Sequence, residues 1–286
     1  MTNETTNTEL DFIVPEIWQP KLLKAVYDSG KVVNRVDNVS GEIAAKGDIL
    51  HLPNMPTITV NSVGASGSVT NQTITPTEAQ LTVDTWVEST MTLVDKASKQ
   101  SNGNIVEDFY TGAGAALRQK MDIDLLALAT SANFSAQTAQ GDGTGPLGED
   151  ELAGAIAEMM ESKFAEALDE ADRATFFIHA GEWRNLKKIS AYSHANLLGN
   201  GGYSATSRKL PDFYGVGTVL HTQVRVASTI RYNLLALKEA LAIGIQSNIG
   251  ILELPRADLA RRFNINALYG VKRRVDRGCL MLSKDL

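Results

Sequence analysis

Four histidines, His51, His179, His194 and His221, are the side chains best suited to proton transfer or metal binding near neutral pH. Their spacing serves neither purpose, because no two fall on one helix or strand in a metal-ligand pattern. His179 and His221 close apolar runs that read as strands, where a hydrogen-bonded structural imidazole is the ordinary role. Only a fold that brought both together with a carboxylate would revive a metal reading. Asp122 and Asp124 sit late in a helical run on different faces, which suits paired or solvated carboxylates better than general acid–base work. Gly199-Asn200-Gly201-Gly202 is glycine-rich, but no strand leads into it and no Gly-Lys-Ser/Thr ends it, as a phosphate loop requires. No dinucleotide fingerprint, nucleophile elbow or zinc-type His-Glu pair is present. Cys279, the sole cysteine, lies in the apolar run Cys279-Leu280-Met281-Leu282 and reads as a small buried hydrophobe. The expectation is a chain with no catalytic residues, no cofactor and no metal, and not an enzyme.

The elements that would have positioned such residues point elsewhere. Residues 1–11 are polar and rich in Thr, Asn and Glu, and read as a flexible tail. Phe12-Ile13-Val14-Pro15-Glu16-Ile17-Trp18 then gathers bulky apolar residues around a proline, and Leu22, Leu23 and Val26 continue at helical spacing. That stretch fits either an ordinary first helix or an arm that docks on a neighbour. From Val32 to Leu52 the pattern suggests strand pieces broken at Gly41 and at Lys46-Gly47-Asp48. Thr57-Ile58-Thr59-Val60 and Leu81-Thr82-Val83-Asp84 alternate on either side of a tip at Gly64-Ala65-Ser66-Gly67-Ser68, which predicts a long β-hairpin. Few bulky residues support it, so it should project from the body and need a partner surface.

Asn104 to Thr130 is the clearest helix, with Ile105, Phe109, Ala113, Ala116, Leu117, Leu125 and Leu128 along one stripe. Such a helix is about 40 Å long, a spine that suits a flat, extended subunit. Gly112 and Gly114 within it would let another backbone approach. Residues 131–148 read as a loop, Glu149–Leu168 as a second helix, Thr175–His179 as a buried strand and Gly181–Ile189 as a third helix. After a Gly/Ser-rich loop over 192–208, strands follow at 216–221, 233–237, 241–246, 263–275 and 279–282. Helices and strands mix without a βαβ rhythm, so the fold class is α+β.

The 286 residues, 43% of them hydrophobic, can bury a substantial core, and a net charge of -6 argues against a dedicated nucleic-acid binder. The N-terminus carries no signal peptide and no apolar stretch spans a bilayer, so no membrane association is expected and a reducing cytoplasm fits. Charge is unevenly spread. Glu149 to Asp172 holds nine acidic residues against Lys163, and Pro255 to Leu286 holds eight basic residues against three acidic ones. These are either two solvated faces or complementary patches between subunits.

The order of parts resembles the major capsid proteins of tailed phages, the Hong Kong 97-like family. Phe12 to Trp18 looks like that family's N-terminal arm, and Gly47-Asp48-Ile49-Leu50-His51-Leu52-Pro53 is similar to the start of its extended hairpin, the E-loop. Asn104 to Thr130 corresponds to the spine helix of the P-domain, Phe263 to Val271 to its returning strand, and Cys279 to Leu282 to the closing strand. The resemblance divides the chain into an arm (1–35), a P-domain strand (36–50), an E-loop hairpin (51–93), a spine helix (94–131), an A-domain (132–254), a P-domain return strand (255–270) and a closing A-domain strand (271–286).

The resemblance implies hexameric and pentameric capsomers that tile an icosahedral phage head, assembled in the host cytoplasm around double-stranded DNA touched only non-specifically. A portal protein and a separate scaffolding protein, or a removed segment, are implied as partners, since the chain starts almost at the arm. Trp18, Gly64, Gly67, Arg262, Arg273 and Arg274 are the candidate inter-subunit contacts. No lysine lies between Lys46 and Lys96, so the covalent E-loop cross-link of some members is not expected. Rival readings are an encapsulin-type nanocompartment shell with the same fold, a soluble enzyme with a pocket around His179 and His221, and a surface-binding module.

Overall fold

The structure is a computed structural model that describes residues 30–43, 49–56, 58–63, 67, 69, 71–94, 105–170, 172–189, 210, 212–254 and 260–284. The arm residues 12–18 and the 192–208 loop lie outside the described residues.

The helical spacing after Asn104 becomes α1 (Ile105–Ala127), 23 residues and about 35 Å long. Glu107 and Asp108 sit in its first turn, where carboxylates favour the helix dipole. Ala113, Leu117, Met121 and Leu125 recur every four residues, and all are buried. The stripe packs on a sheet of β4 (Thr85–Val94), β10 (Ala260–Arg273), β9 (Leu241–Leu254) and β1 (Asp37–Asn38), in the spatial order β1-β9-β10-β4. β4, β10 and β9 run antiparallel, and β1 lies parallel to β9. β4 alternates strictly between half-buried and exposed residues, with Trp86, Glu88, Thr90, Thr92 and Val94 outward, so one sheet face is covered and the other open. On the covered face Val87 and Ile265 meet Phe109, Tyr110, Ala113 and Leu117. Tyr110 stands edge-on to Phe263 with ring centroids 6.0 Å apart.

A second sheet follows the order β11-β8-β5-β6, from β5 (Ala174–His179), β6 (Gly217–His221), β8 (Ile230–Leu237) and β11 (Gly278–Lys284), with β7 (Val226–Ala227) beside β8. β5 and β6 are parallel, and the other pairs are antiparallel. Its strands are apolar on both faces. Phe176, Ile178, Leu235, Leu237, Cys279 and Met281 face a core shared with α2 (Glu149–Met159). Phe177, Leu234, Ala236 and Leu280 face another, shared with Leu125, Leu126 and Ala129 at the end of α1. α2 starts where the Glu151 carboxylate accepts the Gly148 N–H at 2.9 Å. It continues through a π turn (Met160–Phe164) into α3 (Ala165–Asp169).

The hairpin differs from its expected form. Its paired strands are β2 (Ile49–Asn54) and β3 (Thr77–Thr82), while Ile58–Val60 lie outside any strand. Residues 85–93, expected as part of the hairpin, form β4 and pair with β10 instead. Pro56 and Pro76, which have no N–H to donate, stand at the outer end of the paired region, and Ile58 and Val60 beyond it are exposed among the described residues. The base is firmly seated. Leu52, Leu81 and Val83 are buried against Val39 and Ala242, and a Cβ on Gly270 would lie 2.1 Å from the Thr82 carbonyl oxygen. Only glycine lets β10 come that close.

One further expectation changes. The helix at 181–189 shortens to a 3₁₀ turn (Ala180–Glu182) and one turn of helix, α4 (Trp183–Leu186). At Gly112 and Gly114 an added Cβ would meet nothing within 4 Å among the described residues, which leaves room on that side of α1.

Candidate functional site

The expected condition for a histidine site is met in part. His179 and His221 are register partners at the ends of parallel strands β5 and β6. Each Nδ1 accepts a backbone N–H two residues on, from Gly181 and Gln223, both at 3.0 Å. The imidazoles thus close the turns that leave their strands. His221 is fully buried, with Nε2 3.6 Å from Oδ2 of Asp122, also fully buried. Asp122 in turn accepts the backbone N–H groups of Lys31, Val32 and Val33 at 3.0, 3.1 and 3.0 Å. Those three donors open the 3₁₀ turn Val33–Arg35, so the carboxylate holds the incoming chain on α1. Asp124, one face away, accepts the Tyr269 hydroxyl at 2.6 Å. Burial, then the neighbouring Asp124 carboxylate, push the Tyr269 phenol well above its ordinary range.

Beside this lies a second buried polar group. Glu182 Oε1 accepts from Arg231 Nη1 at 2.6 Å and from the Ser283 hydroxyl at 3.0 Å. Its Oε2 accepts from Asn185 Nδ2 at 2.8 Å and the Leu147 N–H at 3.2 Å. Burial is the largest single influence and opposes ionisation, but the four hydrogen bonds together outweigh it and hold the carboxyl below its usual range. Asn233 extends the network, accepting the His179 N–H at 2.8 Å and donating to Ser283 Oγ at 3.0 Å. Among the described residues no three His, Cys, Asp or Glu side chains are grouped to hold a metal ion. The arrangement cross-links strand ends, and its fully buried members offer a substrate no approach.

A groove of about 1540 Å³ lies elsewhere, beside the base of the hairpin. It is lined by Pro53, Met55 and Pro56 of the hairpin, by Phe164 and Ala167 of the π turn and α3, and by the β10–β11 turn from Lys272 to Arg277. Arg274 ties the β10–β11 turn to β1 and to the hairpin: Nη1 meets Asp37 Oδ2 at 2.6 Å, and Asn54 donates through Nδ2 to the Arg274 carbonyl at 3.3 Å. Arg273 donates to the Asn133 carbonyl at 2.8 Å. Arg173 and Arg277 share Glu239, each at 2.9 Å, and Arg277 lies 5.5 Å over the Phe164 ring. Burial opposes ionisation of Glu239, but hydrogen bonds from Arg173 and Arg277 prevail and hold it low.

The candidate contact residues are therefore scattered. Trp18 and Gly64 lie outside the described residues. Gly67 is exposed on the hairpin's outer part, and Arg262 is exposed on β10 opposite Thr92. Arg273 and Arg274 are half-buried and engaged within the subunit. Sequence reasoning missed the anchoring role of Asp122 and the Glu182–Arg231 pair. The signal for Asp122 was its place between Met121 and Leu125 of the buried stripe. The hairpin's outer part is apolar and uncovered: Val60 is 95% exposed, Val69 81% and Met55 70%.

No protein-family model and no curated protein sequence matches the chain. Solved structures do. A chain of Mycobacterium phage Che8 superposes with a TM-score of 0.74 at 18% identity, covering 94% of this chain and 96% of that one. A chain from the asymmetric unit of the bacteriophage PhiM1 mature capsid gives 0.71 at 14% identity, covering 96% and 93%. One from the capsid of cyanophage P-SCSP1u gives 0.70 at 13% identity, covering 99% and 96%. With its spine helix, projecting hairpin and two sheets, the chain has the α+β, Hong Kong 97-like fold of tailed-phage capsid subunits.

Proposed function

We propose that the chain is the major capsid protein of a tailed bacteriophage, building an icosahedral head from hexamers and pentamers of itself. The observation that carries this is the match to phage capsid chains over nearly the whole of both partners, not over one shared domain. The exposed apolar hairpin supports it, since a subunit that leaves such a surface uncovered needs neighbours. Its role is structural rather than catalytic, in keeping with buried polar groups that bind strand ends together. No helix among the described residues is long and apolar enough to cross a membrane.

On this reading residues 1–35 form an arm, 51–93 an E-loop with its return, 94–131 the spine, and 132–254 with 271–286 the A-domain. Trp18 on the arm, Gly64 and Gly67 at the hairpin tip, and Arg262 on the open sheet face meet neighbouring subunits. A scaffolding protein and a portal guide assembly, and the packaged DNA is met through backbone charge alone. Electron microscopy of the purified protein, alone and with a co-expressed scaffold, tests the reading. Closed shells or capsomer rings are expected, and a monodisperse small oligomer under both conditions would overturn it.

A further inference from the structure

We propose that the free edge of β4 pairs with the same edge of a second copy of the chain, antiparallel about a two-fold axis at Thr90, so that two four-stranded sheets run on as one. The pairing deepens the shell reading and rests on it for where the contact falls. An antiparallel strand directs its N–H and C=O groups alternately to either side. β10 takes one side of β4 through an unbroken register from Thr85–Tyr269 to Val94–Ala260. The other side meets no strand among the described residues.

The other described edges are short or guarded. β1 has two residues, β6 five, and β2 and β3 six each, with Pro53 inside β2. The outer edge of β11 is covered, because Gln140 donates to the Leu280 carbonyl at 2.8 Å and accepts the Leu282 N–H at 2.7 Å. β4 differs. It is ten residues long, holds no proline and no lysine, and pairs without a bulge. Five of its residues are β-branched, which suits the extended backbone. An edge with none of the usual guards is a template for a further strand.

The strand's own symmetry about Thr90 names the occupant. Trp86 and Val94, 67% and 52% exposed, lie equally far on either side of it, as do Glu88 and Thr92. Paired on that centre, Trp86 covers Val94 of the second copy and Glu88 faces its Thr92, each twice. Arg262, exposed and opposite Thr92 on β10, joins the row that ends on the second copy's Glu88. On the half-buried face Val87 meets Leu93 and Ser89 meets Met91. Aromatic, β-branched and opposite-charge neighbours of this kind stabilise a sheet, whereas centring the pair on Glu88 would oppose like charges. A contact that maps a surface onto itself is isologous, and it cannot repeat around a capsomer ring. In a shell it therefore joins one capsomer to the next.

The test uses full-length single-cysteine variants at exposed positions of β4; the native Cys279 is fully buried and stays out of the exchange. Residues directly opposed in an antiparallel pair have Cα atoms ~4.5–5.5 Å apart, within disulfide range. Thr90→Cys, mildly oxidised after assembly, is therefore expected to give a disulfide dimer on a non-reducing gel. Glu88→Cys and Thr92→Cys should give none alone and a mixed dimer when combined before assembly. In a parallel readout, Thr92→Glu should lower shell yield severalfold while Thr92→Lys should not, because only the first sets a like charge against Glu88. Shells in which Thr90→Cys stays uncross-linked, or in which Glu88→Cys cross-links alone, would overturn the contact and leave the shell reading standing. The Thr90→Cys dimer in protein that builds neither rings nor shells would support the contact and overturn the shell reading. Protein that gives neither the dimer nor rings nor shells would overturn both.

Discussion

Oδ1 of Asp122, deep in α1, lies 3.1 Å from the backbone nitrogen of Val32, 90 residues earlier in the chain. The same carboxylate holds the N–H groups of Lys31 and Val33, so one side chain fixes where the described chain enters the body. Hydrogen bonds to a charged group each contribute about 1.5–3 kcal/mol, and a buried donor left alone adds its own penalty. Asp122→Ala should therefore cost about 3 kcal/mol or more in denaturant unfolding. Amide exchange at Lys31–Val33 should accelerate more than elsewhere. Equal acceleration across both sheets would mean that Asp122 supports the fold at large and not this anchor.

Glu182 predicts a pH dependence with a definite sign. Its folded-state pKa lies below the ordinary value of 4.5. The stabilisation is thus present above pH 4.5 and is lost as pH falls through the lower, folded value. Glu182→Gln should flatten the acid limb of the stability curve. It should also destabilise the protein at neutral pH by about 3–5 kcal/mol, because the buried Arg231 loses the Glu182 charge 2.6 Å away. Unchanged acid unfolding would assign the limb to other carboxylates, Glu239 first.

Two glycines should respond oppositely to alanine. At Gly270 the new Cβ would strike the Thr82 carbonyl oxygen, an overpacking that costs about 1–3 kcal/mol and should loosen the hairpin base toward proteolysis. At Gly112 it meets nothing among the described residues, so the isolated monomer should gain about 0.8–1 kcal/mol of helix propensity. Should the Gly112 variant be stable as a monomer yet poor in assembly, that open space belongs to a neighbour.

Cys279 is fully buried, and burial, with the Glu158 carboxylate second, pushes its thiol up to about 12. Thiol reagents at pH 8 should label it only at the rate of global unfolding. Labelling that is fast in native buffer would show that the closing strand β11 opens locally.

The spine helix and the strands β5, β8, β10 and β11 were legible because their apolar periods are long and unbroken. The hairpin was legible as a hairpin but not in its pairing. Residues 81–94 alternate throughout, and the same alternation serves a projecting ribbon or the sheet beside β10; the choice depends on β10, almost 180 residues later in the chain. Asp122 and Glu182 sat in plain view among other carboxylates. Their partners, Val32 and Arg231, lie 90 and 49 residues away, and no local pattern links them. The reading of His179 and His221 as structural residues rested on their place at strand ends, which the paired register of β5 and β6 bears out.

The second sheet, apolar on both sides, carries a hazard of misalignment. In a strand with one wet face, sliding by one residue throws every hydrophobe into water. β8 has no such safeguard, because Leu234 and Leu235 are equally content on opposite sides. Asn233 supplies it. It can meet the His179 N–H, the Met281 carbonyl and the Ser283 hydroxyl together in only one alignment, and a slip would strand its amide in an apolar interior. That single amide works as the key that indexes three strands, so an Asn233→Leu chain should keep its compactness while losing the certainty of its alignment.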